Sequence, residues 1–165
     1  MSDLKAMARG IFRETLAAID VADTVRCALE RAGPICRVGG CEFDLRNFPD
    51  VRVLAIGKAA APMASGLLAA LPREVSPTGL LVAPAKPWNN LPGLRTIIAG
   101  HPVPDEASFE AGRAALELLS TCKEDSLVFF LLSGGGSALM ESPFGRPVAP
   151  NVYGVTPPVA FTVVV

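Results

Sequence analysis

The chain has 165 residues, half of them apolar but only 6% aromatic, with 15 Lys and Arg against 16 Asp and Glu. That length suits one domain with a sizeable core. The near-neutral balance, net charge −1 and pI about 5.8, gives electrostatic support neither to nucleic-acid binding nor to an anionic membrane surface.

The apolar weight falls on Ala, Leu and Val, which fits helices packed on a sheet better than a β-sandwich. Residues 3–19 place Leu4, Met7, Ala8, Ile11, Phe12, Thr15, Leu16 and Ile19 on one helical face, with Ser2 or Asp3 able to cap its start. Asp3, Glu14 and Asp20 interrupt this segment, so it lacks the apolar stretch of a signal peptide. No apolar run reaches the roughly 18 residues of a membrane span. A second helix is expected after Asp20, through VADTVRCALERA, ending at Gly33 and Pro34. Residues 35–46 (ICRVGGCEFDLR) read as a short hairpin turning at Gly39 and Gly40. Cys27, Cys36, Cys41 and Cys122 have neither zinc-site spacing nor a histidine cluster. They read as free thiols of a reducing cytoplasm, and no metal site is expected from them.

VRVLAIG, residues 51–57, is a nearly continuous apolar run, as in a parallel strand covered on both faces. Lys58 follows, then a helix pattern through AAAPMASGLLAAL, in which Pro62 is tolerable only in the first turn. Residues 78–83 (TGLLVA) and 94–99 (LRTIIA) predict two more strands, separated by the loop PAKPWNNLPG. From Asp105, DEASFEAGRAALELLSTC predicts a long helix whose acidic start suits the positive end of its dipole. Arg113 and Glu117 on it read as a surface pair. LVFFLLS, residues 127–133, predicts a further buried strand. The alternation argues for a parallel, doubly wound α/β sheet. Beyond Met140 the helical period disappears among Pro143, Pro147, Pro150, Pro157 and Pro158, and AFTVVV ends the chain as a β-prone run.

Three stretches carry chemistry. SGGGS, Ser133 to Ser137, stands directly after a strand and before a helix pattern. In open α/β sheets ligands bind beyond the carboxyl ends of the strands. Glycines there bring backbone N–H groups close to an anion, a following helix start adds donors, and Ser133 and Ser137 add hydroxyls. The stretch matches neither the Walker loop nor GxGxxG. The competing reading is a flexible turn. Lys58, after Gly57, would point its ammonium into the same crevice to neutralise phosphate charge; the competing reading is a solvated surface lysine. GHPVPDE, residues 100–106, holds His101, the only histidine, in a loop stiffened by Pro102 and Pro104, with Asp105 capping the next helix. His101 reads as a general base or ligand clamp, or equally as a structural loop residue.

VLAIGKAAAPMA, AGHPVPDEAS and DSLVFFLLSGGGSALMESP together resemble the N-terminal domain of the bacterial-type glycerate 2-kinases, a family whose relatives have also been labelled hydroxypyruvate reductases. The resemblance implies a Rossmann-like three-layer α/β sandwich with a mostly parallel sheet. A second domain called MOFRL follows it, with the active site in the cleft between the two. It further implies ATP-dependent phosphorylation of D-glycerate to 2-phosphoglycerate, with ATP and Mg2+ as cofactors. Carried over, Lys58 is the family's strand-end lysine; Ser133, Gly134, Gly135, Gly136 and Ser137 form its glycine loop. His101 and Asp105 fall in a further motif.

Family chains run to well over twice this length. Residues 1–142 are therefore expected to form an incomplete α/β domain, 143–165 an irregular Pro- and Val-rich tail, and the MOFRL domain to be absent. A chain lacking the far side of the cleft is expected to be inactive alone. The strand at 127–132 should stay partly exposed, and the exposed apolar surface should drive self-association. The alternatives are a fragment of a hydroxypyruvate reductase, against which the dinucleotide fingerprint is missing, and a non-catalytic binding or assembly module.

Overall fold

The computed structural model describes residues 2–142 and 159–164. In chain order the elements are α1 (Ser2–Ala18), α2 (Val21–Ala28), β1 (Glu30–Ala32), β2 (Ile35–Val38), β3 (Cys41–Asp44), a single 3-10 turn at Leu45–Asn47, and β4 (Asp50–Ile56). There follow α3 (Ala60–Ala70), β5 (Thr78–Ala83), β6 (Leu94–Ile98), α4 (Glu106–Ser120), β7 (Ser126–Leu132), α5 (Gly136–Leu139) and β8 (Val159–Val164).

The expected α/β architecture is present. β4 to β8 form a five-stranded sheet in the order β6-β5-β4-β7-β8, and every pairing in it is parallel. Alternation along β4 divides the core. Val51, Val53 and Ala55 pack with Met63, Ala64 and Leu67 of α3 on one face. Leu54 and Ile56 pack with Ala111 and Ala115 of α4 and Leu139 of α5 on the other. Strands buried on both faces need no polar alternation, which is why they read as continuous apolar runs. Pro62 falls in the first turn of α3, where its missing N–H costs nothing.

Three expectations change. Helix α2 stops at Ala28, and the ERA that was to continue it becomes β1. Leu29 turns into the core at 6% exposure, and Glu30 and Arg37 pair across the strands at 3.6 Å. These tertiary contacts outweigh a modest helix preference. Gly33 thus ends β1 rather than a helix, and the anticipated hairpin at Gly39 and Gly40 completes a three-stranded antiparallel sheet. Second, the end of the chain is not irregular throughout: Val159–Val164 runs parallel to β7 along its whole length. The prolines at 143–158 lie outside the described residues. Third, the strand expected to stay partly exposed is mostly buried, with only Phe130 and Leu132 half-buried. Leu127, Val128 and Leu131 are fully covered and Phe129 is 1% exposed, because α3, α4 and α5 cover the faces and β8 the edge.

The uncovered apolar surface lies elsewhere. Helix α1 forms as its period predicts, yet Leu4, Met7, Ile11, Phe12 and Leu16 are all more than half exposed, Leu4 at 72%.

A candidate anion site at the carboxyl edge of the sheet

The register brings the strand ends level. Ile56 pairs with both Val82 and Leu132, and Ala83 pairs with Ile98. The loops that leave β4, β5, β6 and β7 therefore start from one edge. The structure brings together the three stretches singled out from the sequence.

Gly57 leaves β4 with φ +123°, and its N–H donates to Val82 C=O at 3.1 Å. The next peptide, at Lys58, donates to Gly134 C=O at 3.0 Å. The two loops are thus tied together, and the exposed Lys58 side chain stands over the glycines. Gly135 has φ +92°. A Cβ built on it would lie 3.0 Å from Cδ2 and Nε2 of His101 and 3.4 Å from Cε of Lys58. The histidine ring and the lysine stem flank Gly135, and only a glycine leaves the space between them open. Gly134 is exposed, and Gly136 packs towards Ile56. Among the described residues Lys58 forms no ion pair, and neither do Lys5, Lys86 and Lys123.

Ser133 is oriented inward. Its Oγ accepts the N–H of Ala59 at 3.0 Å and donates to Ile56 C=O at 3.5 Å, while its own N–H donates to Ile56 C=O at 3.0 Å. Ser137 is exposed in α5. That helix is a single turn, four residues long, so it adds far less dipole than a full helix start.

Asp105 is engaged with its own loop. It caps α4 by accepting the Ser108 N–H at 3.1 Å, and the Ser108 hydroxyl receives the Asp105 N–H in return. The Gly100 N–H, with help from Ser108, holds its carboxyl below the usual range. The carboxylate closes the His101 loop on itself and is satisfied by that loop. Lys86 and Trp88, not among the residues singled out from the sequence, are both exposed (Trp88 at 87%) on the loop leaving β5 at this edge. The signal was the one that marked Lys58, a cation just past a buried strand.

Among the described residues no three Asp, Glu, His or Cys side chains gather to hold a metal, and the Asp105 carboxylate is engaged in its own helix cap.

Residues 7–149 match the family described as a domain of unknown function, DUF4147. The glycerate 2-kinase of Pyrococcus horikoshii is 35% identical over 141 residues, covering 86% of this chain and 31% of that protein. A relative from Agrobacterium vitis that carries the hydroxypyruvate reductase name is 40% identical over 96 residues, 57% of this chain and 21% of its own. The crystal structure of the PH0495 protein from Pyrococcus horikoshii OT3 superposes with a TM-score of 0.70 at 33% identity, over 88% of this chain and 32% of that one. The chain spans about a third or less of the length of these relatives. With its motifs, its sheet and the matched residues in agreement, the chain belongs to the DUF4147 family.

Proposed function

We propose that this chain is the N-terminal part of a glycerate 2-kinase. The observation that carries the reading is the convergence of Lys58, His101 and Gly135 at one sheet edge, in a chain similar to a protein named for that activity. In the reaction, the 2-hydroxyl oxygen of D-glycerate bonds to the γ-phosphorus of ATP. The bond from that phosphorus to the β,γ-bridging oxygen breaks, ADP leaves, and the hydroxyl proton passes to a base. Lys58 and the glycine-loop N–H groups neutralise charge on the phosphoryl oxygens or the glycerate carboxylate. His101, with an imidazole nitrogen beside Gly135, is the group at this edge able to accept a proton.

Phosphoryl transfer needs charge neutralised from several sides, and one edge of one domain supplies only one of them. The chain is inactive alone on this reading. ATP is the second substrate, and the magnesium ion that accompanies it is to be held by residues outside this chain. The reductase reading finds no GxGxxG at these strand ends to seat a dinucleotide. No helix among the described residues is long and apolar enough to cross a membrane, and we assign the protein to the cytoplasm. Self-association is assigned to the exposed face of α1 rather than to β7.

The test is a graft. Residues 1–142 replace the matching third of the Pyrococcus relative, and 2-phosphoglycerate formation from ATP and D-glycerate is followed. Turnover that disappears with Lys58→Ala is expected. A folded chimera without turnover overturns the kinase reading.

A further inference from the structure

We infer that Ser133 is a positioning residue for Lys58 and does not itself contact the bound anion; this rests on the anion-binding reading of the glycine loop. The segment that presents Lys58 is pinned by three successive N–H groups: Gly57 to Val82 C=O, Lys58 to Gly134 C=O, and Ala59 to Ser133 Oγ. Only the third acceptor is a side chain. Ala59 is also the N-cap residue of α3 and supplies no capping side chain of its own. The hydroxyl just past the end of β7 therefore fixes the start of a helix that follows a different strand.

The hydroxyl's firm contact is the one it accepts: one lone pair takes the Ala59 N–H at 3.0 Å, whereas its proton side faces Ile56 C=O only at 3.5 Å, an oxygen already held by the Ser133 N–H. The oxygen is thus turned inward, towards the start of α3. Gly57 shows how tightly this arrangement is built: a Cβ there would lie 2.2 Å from Ser133 Oγ and 2.6 Å from Ser133 C=O. The glycine admits the hydroxyl, the hydroxyl holds Ala59, and Lys58 lies between them. Lysine has a flexible four-carbon stem, so a fixed backbone sets the anchor of the region its ammonium can sample.

A double-mutant cycle on the full 165-residue chain tests this. The 15N-labelled protein is titrated with inorganic phosphate at constant ionic strength, and the Gly134, Gly135 and Gly136 amide shifts give the affinity. With Lys58 present, Ser133→Ala weakens phosphate binding about five- to tenfold, the size expected for a misplaced charge-assisted contact. In the Lys58→Ala background the same change costs less than about twofold. Ser133→Thr keeps the acceptor oxygen and restores binding to within about twofold of wild type. Should Ser133→Ala fail to fold, Ser133→Cys, a much weaker acceptor, carries the same cycle. Equal losses in both backgrounds overturn the inference, because the hydroxyl then touches the anion or acts on the whole fold. If phosphate moves none of these amides, or Lys58→Ala binds as wild type does, the anion-site reading itself falls and takes the inference with it.

Discussion

Replacing Gly135 by alanine separates a space requirement from simple flexibility, because Gly134 beside it is a built-in control. At Gly135 the added Cβ meets His101 at 3.0 Å and Lys58 at 3.4 Å, against an ordinary carbon–carbon separation of about 3.5–4.0 Å. Its φ of +92° adds a backbone penalty for any L side chain, about 1–2 kcal/mol. At Gly134 a Cβ meets nothing within 4 Å and φ lies outside the left-handed region. There alanine lowers the entropy of the unfolded chain and is neutral or stabilising, by up to about 1 kcal/mol. For a chain of this size 1 kcal/mol corresponds to about 2–4 °C in Tm. Gly135→Ala should therefore lower Tm by about 2–8 °C and Gly134→Ala leave it level or raise it by up to about 4 °C. Calorimetry of both variants reads the stability. A phosphate titration reads the site, where only Gly135→Ala should weaken binding, by displacing His101 and the Lys58 stem. Equal Tm values for the two variants, with unchanged phosphate binding, would refute the idea that Gly135 keeps open a space between a histidine and a lysine.

Lys58→Ala should weaken phosphate binding at least about fivefold, yet change stability by less than about 0.5 kcal/mol, since the side chain is exposed and unpaired with any carboxylate; circular dichroism melts and the amide titration check both halves. Asp105 has a folded pKa below its unfolded value of about 3.9. Its contribution is therefore complete above that unfolded value and is lost as pH falls through the folded one. Asp105→Asn keeps a capping side chain but removes the charge, so urea midpoints at pH 6 and pH 3 should differ less in the variant than in wild type. Leu16→Asp on α1 should shift the chain towards monomer in size-exclusion chromatography, with little change in Tm because Leu16 is 54% exposed; an unchanged elution profile removes α1 as the associating face.

What could be read in advance followed from local chemistry. β4, β5 and β7 are apolar runs bounded by turns, and a strand covered on both faces has no other way to be written. The strand-end positions of Lys58 and the glycines then followed from topology. What could not be read depended on partners distant in sequence. LERA continues a helix pattern until Glu30 meets Arg37 and Leu29 finds the core. AFTVVV was visibly β-prone, but its place beside β7 is set by an edge that exists only once the sheet has formed. Helix α1 has a legible apolar stripe, and nothing in a stripe says whether a neighbour covers it. Ser133 next to three glycines looks alike whether its hydroxyl faces an anion or the Ala59 N–H.

The two edges of the sheet make the case for a site at one of them. At the amino edge charge is neutralised internally. Arg52 pairs with Asp50 at 2.6 Å and reaches Thr78 at 3.1 Å, and Ser126 donates to Asp50 at 2.8 Å, so β4, β5 and β7 are joined by one polar network. Burial pushes the Asp50 carboxyl up, but the bonds from Arg52 and Ser126 outweigh it and hold the group below its ordinary value. That network stitches the sheet together at this edge. At the carboxyl edge the nearby acid, Asp105, is consumed by its own helix cap and the Gly100 N–H. Lys58 is left without a carboxylate, held by backbone bonds over a glycine that leaves room beside it. On the proposed reading, a cation kept in place and kept unpaired gains its free energy when an anion arrives rather than from a carboxylate of this domain.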